Sequence, residues 1–207
     1  VKIKSFCLIG LFAPFLVSAQ NSSFDDDVTD LLKSFTQCDR TFFSDLNKEN
    51  YHQYFPIEAL PTGYSKFAVK PEGKSGKKSI KFDPPIIFNG VKLESYEENS
   101  DFTNDEEQFH YWGFTTDASL EEIKKAFSWI EWEKPKNTDI NIANAFFYKN
   151  GYWSQNRYVI THTKPAKGTA ESLFFIGVDK DSYEMTIKCT IQGDIPIKEL
   201  RRFRPDL

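Results

Sequence analysis

The chain has 207 residues, with 26 Lys and Arg against 30 Asp and Glu, a formal charge of −4, and 16% aromatic residues. That aromatic content can bury enough surface to offset the entropy of ordering, which argues against a disordered chain. The acidic balance argues against a nucleic-acid partner, and the lack of an 18-residue apolar run beyond the N-terminus excludes a polytopic membrane protein.

Lys2 and Lys4 precede an uncharged, largely apolar run from Phe6 to Val17, and Val17-Ser18-Ala19 places small residues at a cleavage site. This order predicts a secretory signal peptide over 1–19 and a single α+β domain over 20–207. The run is too short to cross a bilayer of about 30 Å, so no integral membrane segment is expected once the leader is removed. Cys7 lies inside the run rather than after it, so no lipid anchor is expected. Without Lys2 and Lys4 the charge becomes −6. The expected location is outside the cytoplasm, and the periplasm if the cell is Gram-negative.

Cys38 and Cys189 are the cysteines of the mature chain. An even count in an oxidising compartment predicts a disulfide, with two buried free thiols as the alternative. Closing a loop of about 151 residues is worth about 5 kcal/mol on chain-entropy grounds.

Residues 22 to 48 predict helix. Phe24, Val28, Leu31, Leu32, Phe35, Cys38, Phe42, Phe43 and Leu46 form one stripe at helical spacing, and Asp39 is placed to restart the helix after a kink near Cys38. Residues 50 to 84 are punctuated by Pro and Gly and carry Lys66, Lys70, Lys74, Lys77, Lys78 and Lys81 against Glu72 alone. The tip, Glu72 to Ser79, reads as a solvated hairpin loop, with a basic binding loop as the alternative.

From residue 86 the pattern becomes sheet-like. Asn89-Gly90 between Ile86–Phe88 and Val91–Tyr96 predicts a tight hairpin. Phe109 to Thr116 predicts a strand. Leu120, Ile123, Phe127 and Ile130 then predict a helix, with Ser119 and Glu122 at capping-box spacing. Four strands are expected to follow, over Ala145–Tyr148, Arg157–Thr163, Ser172–Val178 and Tyr183–Gln192, with a short helix near the end of the chain. In the last strand Tyr183, Met185, Ile187, Cys189 and Ile191 alternate with polar residues. The expected fold is α+β: an antiparallel meander with an N-terminal helix or helix pair and a mid-chain helix packed on one face.

The sequence carries few marks of chemistry. His52, His110 and His162 are isolated, so no metal site and no cofactor are expected. Asp179, Asp181 and Glu184 lack the turn glycine of a calcium loop. There is no G-x-S-x-G, and Ser75-Gly76-Lys77-Lys78 matches S-x-x-K only within a Gly/Lys loop. No catalytic residue is assigned.

What stands out is charge. Glu94, Glu97, Glu98, Asp101, Asp105, Glu106 and Glu107 fall within fourteen residues that hold no Lys or Arg, and Tyr111 and Trp112 follow closely. The plain reading is a solvated acidic loop between two strands. The functional reading is a recognition loop with aromatic anchors for a basic protein partner. The expected function is therefore a secreted, non-enzymatic binding protein of inhibitor or immunity type, directed against an envelope-acting enzyme. An envelope accessory role and a small hydrolase with paired carboxylates are the alternatives.

Overall fold

A computed structural model describes residues 18–73, 76–104, 107–159, 163–179 and 182–207. In chain order the elements are α1 (Ser18–Phe35), α2 (Arg40–Asp45), a 3-10 turn (Glu49–Gln53), β1 (Ile57–Ala59), β2 (Ser65–Phe67), β3 (Lys70–Pro71), β4 (Lys78–Phe88), β5 (Val91–Asn104), β6 (Glu107–Thr116), α3 (Leu120–Ala126), β7 (Asn141–Lys149), β8 (Tyr152–Gln155), β9 (Thr169–Val178), β10 (Met185–Gly193) and α4 (Ile197–Leu200). The fold is α+β. Residues 1–17 of the expected leader lie outside the described residues, and α1 takes in Ser18 and Ala19. Among the described residues no helix is long and apolar enough to cross a membrane.

The predicted helix stripe is real, and it breaks where expected. Val28, Leu31, Leu32 and Phe35 are buried on α1, and Phe42 and Phe43 on α2. Cys38 takes a left-handed backbone angle of 53° between the two helices. Asp39 then caps α2, its carboxylate accepting from the Thr41 N–H at 2.8 Å. Ser119 and Glu122 form the predicted capping box at the start of α3.

Eight strands form one antiparallel sheet in the order β3-β4-β5-β6-β10-β9-β7-β8, and β1 pairs with β2 separately. The meander holds from β3 to β6. After it the chain departs from simple neighbour-to-neighbour order: β10 enters between β6 and β9, so the strand nearest the C-terminus is central. The strand expected over Arg157–Thr163 is replaced by an earlier one. The Asn150-Gly151 turn sends the chain straight back as β8, which ends at Gln155, and residues 157–159 are irregular. Residues 160–162 lie outside the described residues.

The helices cover one face only. Phe35 meets Phe114 of β6 at 5.0 Å and Phe174 of β9 at 5.9 Å between ring centroids, and Phe127, just after α3, meets Phe174 at 5.9 Å. Each such buried ring contributes roughly 1.5–3 kcal/mol. The Cys38–Cys189 disulfide, with Cα atoms 5.3 Å apart, ties the α1–α2 junction to the central strand. A register shift between Lys81 and Ile86 on β4 lets Leu93 and Tyr96, three residues apart on β5, both enter this core.

Candidate functional site

The acidic run is a strand pair rather than a loop. Glu94 to Asn104 belongs to β5, which pairs with β6 across nine positions, from Ser95↔Thr115 to Asn104↔Glu107. Strand alternation then sends consecutive acids to opposite faces.

Glu98 points into the helix-covered core and is 4% exposed. There the Arg204 guanidinium, 1% exposed, lies 3.1 Å from Glu98 and makes a two-pronged pair with Asp206 at 2.7 and 2.8 Å. It stacks 5.2 Å from the Trp112 ring and 5.7 Å from Phe43. Burial works against the cation, but Glu98 and Asp206 hold it charged. Trp112 itself is fully buried, so it is a wall of this core and not a surface anchor.

Glu97 faces the other way and is 8% exposed. Lys77 reaches it at 2.8 Å and Lys188 at 3.3 Å, and Lys188 also meets Asp179 at 3.3 Å. Lys188 arrives by crossing Gly113, which stands opposite both residues in the ladder. A Cβ at Gly113 would lie 2.1 Å from the Ile187 carbonyl oxygen, 2.7 Å from Lys188 Cα and 2.9 Å from its Cγ.

Asp101 is exposed, Glu94 and Tyr111 are half-buried, and among the described residues neither Glu94 nor Asp101 has a cation within ion-pair distance. Asp105 and Glu106 lie outside the described residues, as does the side chain of Glu107. The sequence-predicted residues therefore divide. Glu97, Asp101 and Tyr111 share the face that the helices leave uncovered, while Glu98 and Trp112 lie in the core.

The uncovered face is ordered by the register. One row across it reads Asp101, Phe109, Gln192, Glu171, Phe147 and Ser154, on β5, β6, β10, β9, β7 and β8. A second reads Glu97, Gly113, Lys188, Phe175 and Ile142. Ile140 packs onto Gly177 from outside the sheet, and with Val159 it covers a small apolar cluster of Ile142, Ala145 and Leu173. Lys164 lies over the Phe109 ring at 5.9 Å.

Sequence reasoning missed Glu171. It is 6% exposed and, among the described residues, has no cation within ion-pair distance. Its two oxygens accept from side-chain amides instead, from Asn156 at 2.5 Å and Gln192 at 3.2 Å. Burial raises its pKa above the usual carboxylate range, and the two amides oppose that shift. Glu171 forms the floor of a cleft of about 350 Å³ whose walls include Phe147, Tyr158, Lys164 and Pro165. The only sequence signal was a single Glu among apolar residues, in Ala170–Gly177.

No family model matches the chain, and no curated protein or solved structure matches it significantly. The reading of the site therefore rests on its geometry. Among the described residues no three His, Cys, Asp or Glu side chains converge to hold a metal ion. The cleft lined by Lys77, Glu97, Tyr111, Asp179 and Lys188 encloses about 170 Å³, and its lysines stand between the carboxylates. The Glu171 cleft presents one carboxylate.

Proposed function

We propose that the protein is a secreted, non-enzymatic binding protein of inhibitor or immunity type, which docks a basic partner on the uncovered face of its sheet. The observation that carries this reading is the asymmetry of the sheet. One face is closed by helices, and the other presents an ordered mixed surface of polar and aromatic residues with acids at its β5 side. Asp101 remains there with no ion-paired cation among the described residues, whereas Glu97 is neutralised by Lys77 and Lys188. The Cys38–Cys189 disulfide fits an oxidising compartment. Glycoside hydrolysis by the common two-carboxylate route uses two groups about 5–10 Å apart, and among the described residues the Glu171 cleft supplies one, which favours binding over that chemistry.

The test is affinity capture from envelope extract at low and high salt, followed by calorimetric titration of the purified partner. A basic enzyme released by salt, and bound at least about tenfold more weakly by the Asp101→Lys variant, is the expected result. A partner held equally well by that variant would place the docking surface elsewhere.

A further inference from the structure

The Glu171 cleft carries chemistry that the docking of a basic protein does not use. It lies on the β7–β9 side of the face, three strand spacings or about 14 Å from Asp101 along the same row. Its floor is an acceptor, since both Glu171 oxygens take donors from side-chain amides. Its wall includes a donor, the Lys164 ammonium. Its rim is aromatic. Tyr158 is 87% exposed, and its backbone N–H donates to Asn156 Oδ1 at 3.0 Å, so the residue that holds Glu171 also holds the tyrosine at the cleft mouth. An exposed ring at the mouth of a cleft with a recessed polar floor serves as a stacking platform.

Charge decides the ligand class. A cation entering the cleft meets Lys164, and an anion meets Glu171. A neutral ligand with hydroxyl groups satisfies both, because each hydroxyl donates to a carboxylate and accepts from an ammonium. The C–H face of a pyranose ring stacks on an aromatic side chain. A volume of about 350 Å³ accommodates a sugar unit.

We propose that this cleft is a saccharide subsite, seating a neutral pyranose ring against Tyr158 and Phe147 with its hydroxyls paired to Glu171 and Lys164. The inference is independent of the protein-partner reading, because Asp101 takes no part in it.

The experiment is an amide NMR titration of the full chain. The probes are neutral oligosaccharides (chitotriose, cellotriose and maltotriose), with glycine and inorganic phosphate as zwitterionic and anionic comparisons. The expected result is a saturable shift of the Asn156, Tyr158 and Glu171 amides with at least one oligosaccharide. Tyr158→Ala alters an exposed side chain, so the rest of its spectrum should match the wild type while affinity falls at least about tenfold. Glu171→Gln should weaken binding as well. The proposal is overturned by saturable shifts with glycine or phosphate and none with sugars. It is also overturned if no oligosaccharide binds up to about 20 mM, where even a millimolar site would fill, or if Tyr158→Ala binds sugar as the wild type does.

Discussion

Replacing Arg204 by Met tests the buried charge cluster most directly. Met keeps much of the length and apolar volume but removes the cation. Glu98 and Asp206 are then left with side-chain exposures of 5% and 3%, and neither has another cation at ion-pair distance. Removing one partner of a buried pair typically costs 3–5 kcal/mol, because the uncompensated charge stays in low dielectric. Here one cation serves two carboxylates, so a loss of about 4–5 kcal/mol at pH 7 is expected. Stacking on Trp112 and Phe43 is lost as well. The assay is urea unfolding followed by tryptophan fluorescence, with the disulfide intact. The penalty should shrink as pH falls, because Arg204 holds Asp206 below its ordinary range in the wild type and that advantage is lost as Asp206 takes up a proton. Adding Glu98→Gln to the Met variant should recover part of the loss, giving a favourable coupling in the double-mutant cycle. A Met variant within about 1 kcal/mol of wild type at pH 7, with an unchanged slope, would refute the reasoning.

Other measurements probe other parts of the fold. The Cys38→Ser/Cys189→Ser variant should lose about 3–5 kcal/mol in urea unfolding, since it releases a 151-residue loop in the unfolded chain. Gly113→Ala should cost about 3 kcal/mol or more, because its Cβ would push on the β10 backbone, and the Lys188–Glu97 contact should be lost with it. His110 is fully buried, and its pKa is lowered to about 4 by burial first and by Arg204 second, while Asp206 opposes the shift. The unfolded chain therefore binds a proton that the folded one refuses between about pH 6.5 and 4. Stability should fall with pH through that window by up to about 1.4 kcal/mol per unit. A His110→Gln variant, which still bonds neutrally beside Ser100, should show a shallower slope across the same range.

Local signals were read from the sequence with success. Asn89 and Gly90 take left-handed angles of 46° and 86°, which is what the dipeptide predicts for a tight hairpin. The Ser119–Glu122 box, the α1 stripe and the strand of alternating Met185, Ile187, Cys189 and Ile191 are also local, although the strand begins at Met185 and Tyr183 lies in the left-handed turn before it. The acidic run was misread because its partners are remote. Arg204 lies 106 positions from Glu98 and Lys188 lies 91 from Glu97, and without those cations seven acids in a row of fourteen residues look solvated. Glu171 was invisible for the same reason, since Asn156 and Gln192 come from other strands and loops. Strand order was equally hidden, because a two-residue period identifies a strand but does not say which strand it will pair with.

The central place of β10 has a consequence for how the chain acquires its structure during synthesis. Until residues 185–193 emerge, β6 and β9 each lack a neighbour, and the α1–α2 junction lacks the cysteine that anchors it. An earlier nascent chain thus exposes two apolar strand edges and cannot close its core. Closure of the core and of the Cys38–Cys189 bridge therefore waits until residues 185–193 have been made.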